Sequence, residues 1–138
     1  MVVSLATHPS RFHAIAARQM VRWIDDAFLT GPARYSHRGT WAPAINLYEE
    51  PSRYWVVAEL AGVDVGQVEL RVEKDVLVLL GHRDTPRPRC KGEAVIQHME
   101  IDHGNFARQV KLPPDADPAG IEACYRNGML WVAIPRKP

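Results

Sequence analysis

The chain has 138 residues, a net charge of +1 and 46% hydrophobic residues, which fits one soluble domain and leaves no room for two. A near-neutral balance argues against dedicated nucleic-acid binding, which shows as a basic stripe. No apolar run has the length of a membrane span or the form of a signal-peptide core. Cys90 and Cys124 are too few for a disulfide scaffold and lack zinc or redox-pair spacing, so the cytoplasm is the expected compartment.

Charge divides the chain in two. Residues 1–40 carry five Arg and two Asp, whereas residues 41–138 carry twelve basic and fourteen acidic side chains. The first part holds one helical pattern, over about residues 10–29. Ser10 is placed to cap it, Phe12, Ile15, Ala16, Met20, Trp23, Ile24, Ala27 and Phe28 recur at helical spacing, and Gly31-Pro32 ends it. Arg11, Arg18, Arg22, Asp25 and Asp26 take the other side. Residues 31–43, with Gly31, Pro32, Gly39 and Pro43, read as a linker.

From Ala44 the period changes from helical to two. Strands are predicted at Ala44–Tyr48, Arg53–Leu60, Val68–Glu73, Val76–Leu80, Phe106–Leu112, Ile121–Arg126 and Met129–Ile134. Val68, Leu70 and Val72 alternate with Glu69, Arg71 and Glu73, as in a strand with one wet face. Val76–Leu80 is apolar on both faces, as strands buried in a sandwich are. Asn127-Gly128 is the strongest hairpin signal in the chain, because both central residues of a type I′ turn need positive φ. Short strands with turns between them predict an all-β, immunoglobulin-like two-sheet sandwich behind an N-terminal helical arm. One stretch resists this scheme. Asp84–Met99 separates two strong strands with a connection too long for a simple turn.

Asn127-Gly128-Met129-Leu130-Trp131-Val132-Ala133-Ile134-Pro135-Arg136 resembles the closing hairpin of the small heat-shock protein (α-crystallin) family. Three further blocks are similar to it in the right order: Ala58-Glu59-Leu60-Ala61-Gly62-Val63, with Ala61 where proline is usual; Val76–Arg83, similar to Val-Leu-x-Ile-x-Gly-x-Arg; and Met99–Arg108 followed by Leu112-Pro113. The resemblance covers roughly residues 43 to 136 and implies an α-crystallin domain there, with residues 1–42 as arm and linker. Pro138 closely follows Ile134, and residues 137–138 then form a vestigial tail without the family's Ile-x-Ile motif.

The resemblance further implies an ATP-independent holdase, a chaperone that binds non-native proteins and stops their aggregation. No Gly-x-x-x-x-Gly-Lys phosphate loop is present, and no cofactor, metal or enzymatic activity is expected. In bacterial, archaeal and plant members the long loop holds a short strand that pairs with the first strand of a partner subunit. Here that implies a homodimer whose interface includes Ala44, Asn46, Tyr48, Val95, Ile96, Glu100 and Arg108, with Glu100 and Arg108 as an ion pair. Clients would be held by Phe12, Ile15, Met20, Trp23 and Phe28 of the arm, and by a groove lined with Val68, Leu70, Val72, Ile121 and Ala123. Higher oligomers would run through the arm.

Departures from the family are also legible. Ile101 stands where arginine is common, and Val78, Leu80 and Trp131 occupy positions usually polar, so extra apolar surface is expected there. His82, His98, His103 and Cys90 fit no regular ligand pattern and read as solvated side chains. Cys90 reads as an exposed loop thiol, Cys124 as a small core residue. The arm's basic face also suits a membrane surface, a role ranked below client binding and below packing on its own domain. The main competing function is a co-chaperone of the p23-like sandwich type, followed by an enzyme on a β-sandwich.

Overall fold

The computed structural model describes residues 40–138 and the backbone of residues 5 and 6; the predicted helix over residues 10–29 lies outside the described residues. Eight strands are present: β1 (Leu5–Ala6), β2 (Ile45–Glu49), β3 (Arg53–Glu59), β4 (Val68–Glu73), β5 (Val76–Arg83), β6 (Gly104–Lys111), β7 (Glu122–Arg126) and β8 (Met129–Pro135). They form a five-stranded sheet in the order β1-β7-β8-β3-β2 and a three-stranded sheet in the order β4-β5-β6. All pairs are antiparallel except β1 with β7, which is parallel.

The two sheets bury one continuous cluster. From β3 come Tyr54, Val56 and Ala58; from β8 Leu130, Val132 and Ile134; from β4 Val68, Leu70 and Val72; from β5 Leu77 and Leu79; and from β6 Phe106 and Val110. Each set is the alternate residues of its strand, so the period of two carries the fold. Turn chemistry fixes the register. Asn127 (φ 50°) and Gly128 (φ 76°) close the β7–β8 hairpin, and Lys74 (φ 57°) turns β4 into β5. Gly81 is required for a different reason: a Cβ there would collide with the Phe106 ring and the Gln67 carbonyl.

Several expectations need correction. The first strand of the sandwich runs over Ile45–Glu49 rather than Ala44–Tyr48, β5 continues to Arg83, and β6 begins at Gly104. The linker ends sooner than expected. Trp41 is only 3% exposed. Its backbone bridges β6, donating to the Asn105 carbonyl at 3.1 Å and accepting from the Ala107 amide at 3.0 Å. Its ring packs 5.2 Å from that of Phe106. The expected wet face of β4 is wet only at its end: Glu69 is buried, Arg71 half-buried and Glu73 exposed. Val78 and Leu80 add no apolar surface either: both are 1% exposed. Cys124 is exposed, not a core residue, because β7 turns Ala123 and Tyr125 toward the main cluster and Cys124 away from it.

Candidate functional site

Two edges of the sandwich and the long loop gather the residues singled out by sequence. Among the described residues β2 pairs only with β3, in a register that sets Ile45 opposite Ala58 and Glu49 opposite Tyr54. Its other edge is open, and an open edge offers unpaired amides and carbonyls to another strand. Ala44 and Asn46 are exposed, as are Leu47 and Tyr48, and Asn46 Nδ2 donates to the Tyr48 hydroxyl at 2.8 Å.

Residues 84–103 form no strand within the chain. They nonetheless carry Val95, Ile96, Met99 and Ile101 with 78%, 66%, 46% and 59% of their surface exposed. The base of the loop is held firmly. Arg83, buried, donates through Nε to the Asp102 carbonyl at 2.8 Å and through Nη1 to the Ala61 carbonyl at 3.1 Å. Its guanidinium lies 4.2 Å from the centre of the Trp41 ring, and Trp41 Nε1 donates to the Gly104 carbonyl at 3.1 Å. Glu100 and Arg108 do not meet within one chain. Glu100 lies 3.4 Å from His98 Nε2, while Arg108 is half-buried and donates to the Pro43 carbonyl at 3.5 Å.

The five groove residues belong to, or pack against, the one core cluster, three on β4 and the others on or just before β7. Val68, Leu70, Val72 and Ala123 are buried and Ile121 is half-buried against the same cluster. The backbone edge of β7 is also occupied, because Leu5 pairs with Ala123 and Ala6 with Cys124. The arm residues Phe12, Ile15, Met20, Trp23 and Phe28 lie outside the described residues.

The histidines and Cys90 are dispersed. His82 contacts Asn105 Oδ1 through Nδ1 at 2.7 Å and lies 3.2 Å from Asp84 Oδ1 through Nε2. His103 Nδ1 sits 3.2 Å from the Ile101 carbonyl, and Cys90 is exposed in the loop. Among the described residues no three His, Cys, Asp or Glu side chains converge as a metal site would require.

Two features escaped sequence reasoning. On the outer face of the five-stranded sheet Trp55 and Trp131 meet edge to face at 6.2 Å, under Arg53 and Arg126, beside a cleft of about 530 Å³ that Glu122 and Cys124 also line. At the far end, Asp115 takes 2.7 Å hydrogen bonds from the Tyr54 hydroxyl and from Arg136 Nε, and Arg136 Nη1 reaches Glu49 Oε1 at 3.0 Å. The Tyr54 hydrogen bond, with Arg136 beside it, holds the Asp115 carboxyl below its usual range. The same bond, with burial, raises the Tyr54 phenol above its own. Only spatial closeness of residues far apart in sequence creates either feature.

Residues 46–138 match the model of the Hsp20/alpha crystallin family. A probable 15 kDa heat shock protein of Leptospira interrogans is 31% identical over 98 residues, which cover 70% of this chain and 72% of that protein. The solved small heat-shock protein of Xylella fastidiosa superposes with a TM-score of 0.63 at 30% identity, covering 72% of this chain and 89% of that one. HspA of Xanthomonas axonopodis gives 0.61 at 33% identity, covering 72% and 97%. Among the described residues no helix is long and apolar enough to cross a membrane.

Proposed function

The chain belongs to the Hsp20/alpha crystallin family, and from that premise we propose that it is an ATP-independent cytoplasmic holdase that assembles as a loop-exchanged homodimer. One observation carries the assembly. Of the large apolar side chains exposed among the described residues, all but Met129 lie on β2 or in the 84–103 loop: Leu47, Tyr48, Val95, Ile96, Met99 and Ile101. Such residues cluster where a partner strand is to be met. Ala94–Ile96 of one subunit adds to the open β2 edge of the other, covering Leu47 and Tyr48 with Val95 and Ile96. Glu100 and Arg108 then meet across the interface rather than within a chain.

Client holding falls to Phe12, Ile15, Met20, Trp23 and Phe28. Each buried aliphatic or aromatic side chain contributes about 1.5–3 kcal/mol, much of which is lost to ordering. Useful affinity therefore comes from several arms displayed together, which links holding to assembly. Non-native proteins expose the complementary apolar segments, and no nucleotide is needed.

The test is suppression of a model client's heat aggregation by the full chain without ATP, with mass followed by light scattering. Protection near equimolar ratio supports the reading; aggregation at an unchanged rate under chaperone excess overturns it.

A further inference from the structure

The outer face of the three-stranded sheet is dry around Glu69, Val78, Leu80 and Ala107 and wet at its other end, where Glu73, Gln109 and Lys111 are exposed, although no other described element packs on the dry part. Val78 and Leu80 are each 1% exposed and Ala107 is 9% exposed. With Val76 they form a cluster of their own, separate from the main core and made, among the described residues, of side chains of β5 and β6. Leu80 pairs with Glu69 on one side and Ala107 on the other, and Val78 with Arg71 and Gln109. Arg71 lies 3.4 Å from Glu69 and 3.0 Å from Glu73. Glu69 Oε2 and Arg71 Nε are nevertheless buried without a hydrogen-bond partner. A buried carboxylate oxygen with no donor is costly, so a donor is expected to come from whatever covers this face.

The two ends of the undescribed stretch say what that is. Ala6 sits on the β7 edge of the sandwich. Trp41 sits on the β6 edge of the other sheet, bridged to Phe106. Only three residues separate Trp41 from β2, so the β6 and β2 edges share one side of the sandwich. The β4 and β7 edges, at the opposite ends of their sheets, therefore share the other. The two ends of segment 7–39 therefore lie on opposite sides of the sandwich. The outer face of the five-stranded sheet is the wetter route, with Glu122, Cys124 and Met129 exposed. The outer face of β4-β5-β6 is the one with a dry part, over Glu69, Val78, Leu80 and Ala107. It is only about 10 Å wide at a strand spacing of about 4.8 Å, which a helix the length of the predicted one, about 30 Å, spans easily.

We propose that the outer face of β4-β5-β6 is the seat of this chain's own segment 7–39, which lies across Val78, Leu80 and Ala107. The seat is independent of whether the protein holds clients. It implies that the apolar side chains of the arm have a defined resting place in the same subunit.

A reporter thiol tests it in the full chain. In a Cys90→Ser, Cys124→Ser background, Leu80→Cys is exposed to a water-soluble thiol reagent. Its modification should be at least about tenfold slower than in the same protein with Phe12, Ile15, Met20 and Trp23 replaced by Gln, because the protecting segment must open first. The protection should not change with protein concentration. Val78→Cys serves as a second reporter where Leu80→Cys does not fold. Equal rates in the two arm backgrounds overturn the proposal. So does protection lost on dilution, which makes a second copy the cover.

Discussion

Arg83 lies face-on to Trp41, its guanidinium 4.2 Å from the ring centre, and the pair locks the start of the sandwich to the base of the long loop. Arg83 also donates to the Asp102 and Ala61 carbonyls, so one side chain ties three segments distant in sequence. Replacing it with Ala leaves two carbonyls and an aromatic face without a partner, an expected loss of about 2 kcal/mol. Arg83→Lys should recover only part of it, since an ammonium lacks the planar fork that reaches both carbonyls. Chemical denaturation of the three proteins measures this; equal stability of Arg83→Ala and the parent would contradict it.

Asp115 and Tyr54 predict a stability window. Asp115 titrates below its ordinary 3.8 in the folded protein, so its contribution is present above that pH and is lost as pH falls through the lowered folded value. Tyr54 titrates above its ordinary 10.0, so its contribution is present below pH 10 and is lost as pH rises through the raised value. Asp115→Asn and Tyr54→Phe should each be less stable than the parent at neutral pH. The gap for Asp115→Asn should close in acid and that for Tyr54→Phe in alkali. A gap that does not vary with pH would show that the hydrogen bond does not govern either titration.

Gly81 is closed to any side chain by the Phe106 ring and the Gln67 carbonyl. Gly81→Ala should cost about 1–3 kcal/mol, as overpacking of a tight core does, with a lower melting temperature as the readout. The phenylalanine is itself wholly buried, so it cannot swing out to make room.

Loop exchange predicts a clean separation of folding from assembly. Deleting residues 86–97 removes Val95 and Ile96 but spares Arg83, Asp102 and Trp41, which hold the base of the loop. The product should be a folded monomer by light scattering, with the circular dichroism of the parent. A deletion protein that stays dimeric would place the interface elsewhere.

What was legible in sequence follows from how local each signal is. Alternation in Val68-Leu70-Val72 and Leu130-Val132-Ile134, and positive φ at Asn127-Gly128, depend on near neighbours, and these elements lie where the sequence puts them. Trp41 could not be read: its place depends on Phe106 and Arg83, and nearby Gly39 and Pro43 look like linker. Val78 and Leu80 were legible as part of a strand buried on both faces, but what covers their outer face was not, because the cover of a sheet face is set by tertiary structure. Cys124 was misplaced because a half-buried hairpin gives a small residue no periodic mark of which face it takes. Of the residues expected at the interface, Ala44, Asn46 and Tyr48 lie on or beside β2, Val95, Ile96 and Glu100 in the exposed loop, and Arg108 half-buried on β6; a pairing between two chains is not displayed by one.

The short parallel pairing of Leu5–Ala6 with Ala123–Cys124 makes a final prediction. Among the described residues β7 is otherwise an edge strand, paired only with β8, and an edge adds strands readily. Two residues form few hydrogen bonds, each contributing about 0.5–1.5 kcal/mol net, so the pairing is weak enough to be exchanged. Replacing Leu5 and Ala6 with Pro removes their amides and should leave the melting temperature almost unchanged while amide exchange at β7 accelerates. The vacated edge should also accept an added aliphatic peptide strand more readily than the parent does. Unchanged exchange across β7 in the Pro variant would show that the edge is protected by something other than residues 5 and 6, and the prediction would fail.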